Sequence, residues 1–409
     1  MSDLVNKLTP TKASTDAPAP QFFRVGKSAE AAELEALIDQ QQPQIIDTYE
    51  SQLKEYFVLQ NPALHLNPPE RDKQFQAFKE EHYGAAEPQA AGIWVYLPWR
   101  NLLLHLLEDA WYQEVRTGRN RNLIPAAEQR KYYDITIALG GLSVGNSAAL
   151  AIVLTGGGKR WRLADPDTLE LTNLNRIRAS ITELTEPKVY MTARQIYELD
   201  PYASLTLYPE GVTKENIEEF CAGADIIIDE VDNLPIKLML RDQAKQHKTP
   251  LLMATDNGDS GLLDIERHDL EDIPYFHGRI TEQDIADMLS GKLALPQIGK
   301  MIGEKLVGFN ITEPRMQASL LEIGRTIPTW PQLGGAAVLN GVAIAAAVRK
   351  IVTEQPVIEK RAVLSLSSWL IPGYDAPDQV EQRQRNTQQF EEAYNAIIEE
   401  FLKNFSPKS

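Results

Sequence analysis

Between residues 135 and 253, short apolar runs alternate with segments of helical spacing, and this alternation limits the fold more than any other feature of the chain. Ile135 to Leu139, Trp161 to Ala164, Leu205 to Tyr208, Ala224 to Ile228 and Leu251 to Met253 have the length and composition of buried strands. A Gly-rich turn and a small-residue helix from about 146 to 154 follow the first. Helical segments near 187–199, 214–222 and 235–247 separate the others. Such alternation predicts parallel βαβ units with helices on both faces: an α/β fold, doubly wound around a mostly parallel sheet. Ligands of such sheets bind outside the carboxyl ends of the strands.

The flanks read differently. Residues 1–24 begin rich in Thr, Ala, Pro and Ser without an apolar leader segment, and predict a disordered tail. A small α+β domain is expected over 25–115. In it, Ala31, Leu34, Leu37 and Ile38 recur at helical steps across 29–60, and Pro43 predicts a split into two helices. Residues 61–91, polar and rich in Pro and Gln, predict loop or short helix. Ile93 to Leu97 and Leu102 to Leu107, joined by Pro98-Trp99-Arg100-Asn101, predict a hairpin. The main domain is expected over 116–375. Within it, 265–330 is mixed, Leu333 to Val352 predicts an Ala/Gly-rich helix, and Val363 to Leu370 a late strand. The last unit, 376–409, predicts an amphipathic C-terminal helix. Its Phe390, Tyr394, Ile397, Ile398, Phe401 and Phe405 share a face that packs on its own domain or on a partner subunit.

Charge and cysteine content exclude several function classes. The formal net charge is −16, which argues against sequence-independent nucleic-acid binding and against docking on anionic lipid. One cysteine, Cys221, allows no intrachain disulfide, no CxxC pair and no thiolate zinc cage; this fits a reducing cytoplasm. Two stretches approach membrane-span hydropathy. Residues 140–158 carry six glycines, and 333–352 contain Asn340 and Arg349-Lys350, so both predict buried packing helices and a soluble cytoplasmic protein.

The chemistry-bearing residues begin at Gly140-Gly141-Leu142-Ser143-Val144-Gly145-Asn146, after a strand and opening a helix. Gly140 and Gly145 hold the first and third positions of a Rossmann-like dinucleotide turn, while Leu142 stands where a glycine lets backbone approach phosphate. By itself the loop is equally an ordinary strand–helix turn, although any helix N-terminus favours anions. Asp165 ends the next strand 25 residues after Gly140. It is either an acceptor for ribose hydroxyls or a turn cap.

The next run is more specific. Leu163-Ala164-Asp165-Pro166-Asp167-Thr168-Leu169-Glu170-Leu171-Thr172-Asn173-Leu174-Asn175-Arg176 resembles the signature of the ThiF/MoeB superfamily of ubiquitin-activating-type adenylating enzymes, D-x-D-x-V-x-x-S-N-L-N-R-Q. Lys188 comes 12 residues after Arg176, near the family's phosphate lysine. Asp229-Glu230-Val231-Asp232-Asn233 matches its D-x-x-D-N. Arg119-Asn120-Arg121-Asn122 resembles its R-x-x-R-Q/N element, and Pro331-Gln332-Leu333-Gly334-Gly335 the start of its closing helix. The resemblance spans about 116–352.

It implies ATP- and Mg²⁺-dependent adenylation of a carboxylate, on a small molecule or a peptide C-terminus, in a homodimer. Gly140, Gly141, Leu142, Ser143, Gly145, Asp165, Asn173 and Asn233 would then contact the nucleotide, with Asp165 on the ribose. Arg176 and Lys188 would join Asn173 on the triphosphate, Asp232 would hold Mg²⁺, and Arg121 would reach from the partner subunit toward the leaving pyrophosphate. Positioning and charge neutralisation are what such a transfer needs. The chain departs from the pattern at three places. The two middle glycines of G-x-G-G-x-G are Leu142 and Ser143, the glutamine after the signature arginine is Ile177, and the two CxxC motifs are absent. No cysteine comes after the fifth strand, and Cys221 reads as structural, so direct transfer to a nucleophile without an enzyme thioester is expected. The peptide-adenylating enzymes of microcin-C-type biosynthesis are the nearest mechanistic likeness. The pattern is similar as well to ThiF-domain proteins that accompany nitroreductase-like modules. Two alternatives use the same scaffold: an NAD(P)- or flavin-binding oxidoreductase, and a catalytically silent binding module. His268 or His277 is either an acceptor contact or a packing histidine, with Trp330 near the end of their segment. Thr255-Asp256-Asn257-Gly258-Asp259 is either a plain loop or a substrate lip.

Overall fold

The structure, a computed structural model, describes residues 19–291 and 293–405. The first eighteen residues of the expected tail lie outside it, but Gln21–Phe23, at its far end, forms a strand, β1.

Four short strands make the N-terminal sheet: β1, β2 (Gln44–Asp47), β3 (Ile93–Leu97) and β4 (Leu102–Leu106), in the order β1-β3-β4-β2. The hairpin β3–β4 forms as its sequence predicts, with Leu97 opposite Leu102 and Asn101 at φ +46° in the turn. Pro43 does end a helix, Ser28–Gln41, which Gln42 closes in the left-handed region. The chain then enters β2 at once, parallel to β4, and only afterwards the helix Tyr49–Gln60. Residues 61–91, expected as loop or short helix, contain a 16-residue helix, Pro68–Tyr83. It starts on Pro68 with Asn67 as its cap and buries only Phe75, so it has almost no apolar stripe for a periodicity reading to find.

The main sheet has seven strands in the order β11-β10-β9-β8-β5-β6-β7. Its parallel part is β5 (Thr136–Gly140), β6 (Arg160–Ala164), β7 (Ser204–Tyr208), β8 (Ile226–Asp229) and β9 (Leu251–Asn257). Counted from β5, that order is 3-2-1-4-5, and the chain reverses direction across the sheet between β6 and β8, on either side of β5. β9 runs on to Asn257, and Gly258, at φ +66°, opens a tight hairpin into the antiparallel β10 (Ser260–Glu266). The Thr255–Asp259 stretch is thus strand and turn rather than a plain loop. β11 (Arg361–Leu364) completes the edge; the expected strand stops there, and Leu366–Leu370 is a short helix capped by Ser365.

The apolar helix Gly334–Val352 packs across Val144–Leu154. A Cβ at Gly341 would lie 2.5 Å from the Ser147 backbone, so the crossing admits no larger residue. It is the one helix among the described residues long and apolar enough to cross a membrane, and half of its most apolar stretch is buried in the protein. The C-terminal helix, Pro377–Phe405, lays Phe390 edge-on against Phe309 at 4.9 Å, and Gln317 donates to Thr387 at 2.9 Å, so this face covers residues of its own chain. The two sheets meet through side chains of the segments around them. Arg100 and Trp99 both donate to Glu198, at 2.8 and 2.6 Å, and Tyr112 donates to the Leu199 carbonyl at 3.0 Å.

Candidate nucleotide site

The site is a cavity of about 520 Å³ at the carboxyl ends of β5, β6, β8 and β9. Its floor is the turn after β5. Gly141 sits at φ +85°, and a Cβ there would collide with the Glu230 carbonyl, so this position takes only glycine. Leu142 is fully buried, and its N–H donates to Asp165 Oδ2 at 2.6 Å. Asp165 Oδ1 accepts from the Asp167 N–H at 2.8 Å. Burial pushes the Asp165 carboxyl above the ordinary carboxylate value. Gly140, Gly141, Leu142, Gly145 and Asp165 therefore build the floor from below and lie outside the cavity lining; Ser143 and Val144 of that turn reach it.

The second wall comes from the loop after β6. Asn173, buried, accepts from the Glu170 N–H at 3.1 Å and closes a short capped turn. That turn carries Arg176, whose Nε donates to Ser143 Oγ at 3.0 Å and whose Nη1 donates to the Thr172 carbonyl at 3.2 Å. The guanidinium is half-buried; desolvation lowers its pKa although the carboxylates of Asp256, Asp232 and Glu170 face it. Lys188 opens the helix Lys188–Leu199, and its buried ammonium pairs with Asp167 Oδ2 at 2.8 Å. Asn173, Arg176 and Lys188 thus converge with Ser143 on one cavity, below the N-terminus of the helix Val144–Leu154, whose free N–H groups favour an anion.

Opposite them is the loop after β8. Asp232 lines the cavity with an exposed carboxylate. Asn233 does not line it: its side chain caps the helix Leu234–His247, accepting from the Ile236 N–H at 3.2 Å. Among the described residues no group of three or more His, Cys, Asp or Glu could hold a metal ion. A lone carboxylate still suits Mg²⁺, which binds through one or two carboxylates together with nucleotide phosphates.

Arg121 stands apart. Its Nη1 donates to the Leu59 carbonyl at 2.8 Å and its Nη2 pairs with Glu114 at 3.4 Å, beside a separate cavity that also holds Asn120 and Arg130. Cys221 is fully buried, with its thiol pushed up to about 12 by burial. His268 is buried beside Glu266, and neither it nor His277 lines the cavity, whereas Trp330 does.

Three further residues line the cavity: Lys237, which the sequence reading did not single out, Glu230, quoted there only inside its motif, and Asp256, from the stretch read as a plain loop or a substrate lip. Lys237 lies 3.1 Å from Asp229 Oδ1 and touches Met253 Sδ at 3.3 Å. The spacing from the cap Asn233 to Lys237, one helical turn, was the available signal. Glu230 accepts from the Ala254 N–H at 2.7 Å, and burial raises its carboxyl well above the ordinary value. Asp256, held by Asn340 at 2.8 Å and Gln332 at 3.2 Å, is raised by burial too. Behind the wall, Arg241 is wholly buried, bound to Asp229 at 2.6 Å and Glu266 at 2.9 Å, with its guanidinium 3.6 Å above the Phe276 ring.

Fold and cavity together define an α/β domain with a cationic wall at the switch point of its sheet. Residues 117–263 match the ThiF family, in agreement with the resemblance to the ThiF/MoeB-like superfamily. It is 36% identical over 283 residues to an uncharacterized protein of Mycobacterium tuberculosis, covering 69% of this chain and 39% of that one. It is 32% identical over 139 residues to the sulfur carrier protein ThiS adenylyltransferase of Escherichia coli, 33% of this chain and 54% of the relative. The chain thus spans about half or less of these relatives' length. Among solved structures, Escherichia coli MccB with ATP superposes with TM-score 0.45 at 15% identity, covering 72% of this chain and 75% of that one. The Escherichia coli tRNA N6-threonylcarbamoyladenosine dehydratase TcdA gives TM-score 0.44 at 19% identity, over 60% and 96%.

Proposed function

We propose that the protein is an enzyme that adenylates a carboxylate with ATP and passes the acyl group directly to a nucleophile. The observation that carries this reading is the convergence of Asn173, Arg176 and Lys188 on one cavity wall facing Asp232. In the reaction a carboxylate oxygen of the substrate attacks the α-phosphorus, the bond to the β-phosphate oxygen breaks, and pyrophosphate leaves with that electron pair. Two anions must meet, so the chain's task is to neutralise charge and fix the line of attack. Arg176 offers a planar fork to phosphate oxygens, and Lys188 a compact charge. In the free protein the two are held by Ser143 and Asp167, which keeps both cations in place before a nucleotide arrives. Asp232 would hold Mg²⁺ together with the nucleotide phosphates, and the ion would supply further neutralisation there. Asp165, beneath the floor, would fix the turn against which the ribose rests.

The acyl adenylate then reacts with a nucleophile of the acceptor, and AMP leaves. The buried, high-pKa thiol of Cys221 supports transfer without an enzyme thioester, since only the thiolate is nucleophilic. Arg121 would act in a homodimer, reaching the partner's cavity; its half-exposed side chain, tied only at the protein surface, supports such a role. The single cysteine fits a cytoplasmic setting. Exchange of labelled pyrophosphate into ATP, driven by a panel of carboxylates, tests the reading. Carboxylate-dependent exchange that vanishes in Asp232→Ala supports it, and absence of exchange with every carboxylate contradicts it. Recovery of exchange on mixing inactive Arg121→Ala and Arg176→Ala proteins would support the shared site.

A further inference from the structure

The cavity has two unlike halves. The half next to β5 and β6 is polar and cationic. The other half comes from β9, from the helix after β8 and from the segment 302–330, and its wall is Leu234, Met253, Ile302, Leu306, Val307 and Trp330. Leu234, Met253, Leu306 and Val307 are buried side chains that line the cavity, and Ile302 and Trp330 are half-buried at its rim. Leu234, Met253 and Leu306 belong to a hydrophobic core with Phe276, Ile280 and Met288, against which Ile302 also rests. That core lies largely beyond residue 263, where the ThiF family match ends.

In a doubly wound sheet of this order, the nucleotide's ribose and phosphates belong on the β5–β6 side, where the acidic strand end and the cationic wall lie. The apolar wall is on the β8–β9 side and faces whatever is adenylated. One cation stands in that wall: the Lys237 ammonium, against Met253 Sδ and near Asp229. Lys237 and Arg176 both line the cavity with this wall, and both would face a bound carboxylate. Its remaining atoms lie against aliphatic and indole surface.

We propose that the substrate of this site is a carboxylic acid with an apolar body, of medium aliphatic or arylalkyl type, rather than a glycine-ended peptide or a polyacid. This substrate class rests on the adenylation reading. A glycine tail has no side chain to cover the Leu234–Trp330 wall. A second carboxylate would be desolvated against it beside Glu230 and Asp256, with no cation left to pair with. Each CH₂ buried against such a wall tightens binding roughly fourfold.

Calorimetric titration of the full chain, with a non-hydrolysable ATP analogue present, measures this without requiring turnover. The probes are butanoate, hexanoate, octanoate, 3-phenylpropanoate, succinate and a Gly-Gly-ended peptide. Affinity should rise from butanoate to octanoate by tenfold or more. Octanoate or phenylpropanoate should exceed succinate and the peptide by at least tenfold. Ile302→Glu, a half-buried rim position, should erase that gain and leave binding of the ATP analogue unchanged. A flat chain-length series, or preference for succinate or the peptide, overturns the proposal. An octanoate preference unaltered in a folded Ile302→Glu protein overturns it as well, because the apolar body then binds elsewhere. If apolar acids bind as predicted and pyrophosphate exchange is still absent, the adenylation chemistry fails while the substrate class stands.

Discussion

The two walls of the cavity are built on different terms. The β5–β6 wall is held by short hydrogen bonds between neighbouring loops: Leu142 to Asp165, Asn173 to Glu170, Arg176 to Ser143, Lys188 to Asp167. Each partner lies within a few tens of residues, and polar identity at fixed spacing decides the geometry. The β8–β9 wall is held by packing between distant segments and by one buried ionic chain, Lys237–Asp229–Arg241–Glu266. The first wall resists change because its donors are satisfied. The second stands only while its charges remain paired.

The largest test breaks the second wall. Arg241→Met removes the cation shared by buried Asp229 and Glu266, leaving only Lys237 on the one and His268 on the other, and should destabilise the protein by about 3 kcal/mol, read from the urea midpoint. Its pH dependence carries a sign. Burial alone would raise Asp229 and Glu266, but Lys237 and Arg241 on the one, and Arg241 and His268 on the other, hold both below the ordinary carboxylate value. Their contribution is therefore present above a pH of about 4 and is lost as pH falls through the folded values. In Arg241→Met, Lys237 and His268 still hold the two carboxylates but burial is less fully opposed, so the stability gained as pH rises above about 4 should shrink. Thermal melts at pH 4 and pH 7 check the loss.

The first wall should answer in chemistry instead. Arg176→Ala should lower carboxylate-dependent pyrophosphate exchange by about 10²–10³-fold, in the range of losing one charged donor at a transition state, with little change in melting temperature. Phe390→Ala empties a well-packed contact with Phe309, in the cluster on which Trp330 also rests, and should cost about 3 kcal/mol of stability without altering nucleotide affinity. The smallest effect is expected at Asn233→Ala. Loss of this helix cap should cost about 1 kcal/mol, and a modest rise in the ATP dissociation constant would come from loosening Asp232 beside it.

The same contrast explains what could be read in advance. Strands β5, β8 and β9 were legible because burial on both faces writes them as apolar runs, β6 and β7 because apolar residues alternate along them, and the loop after β6 because Asn173, Arg176 and Lys188 sit at local spacings. Strand β2 was hidden: four residues between two helices carry no period of their own. The helix Pro68–Tyr83 was hidden because it buries one side chain. Gly258 signalled a turn, but the hairpin it opens is set by β10 pairing along the whole of β9. At the site, Asp165 has its carboxylate committed to two backbone N–H groups, and Asn233 to a cap. A residue type at the right spacing does not say which way its lone pairs point. Glu230 joins the cavity through its contact with β9, which no local pattern encodes, whereas Lys237 stands one helical turn after the cap and Asp256 at the end of a strand, both local signals.

Titration of ATP with Mg²⁺ into the full chain, run beside NADH and repeated in Lys188→Ala, addresses the cationic wall most directly. One ATP site per chain is expected, weakened tenfold or more by the substitution, with no NADH binding. Tight NADH binding without ATP binding, or ATP affinity unchanged in a folded Lys188→Ala protein, would contradict it.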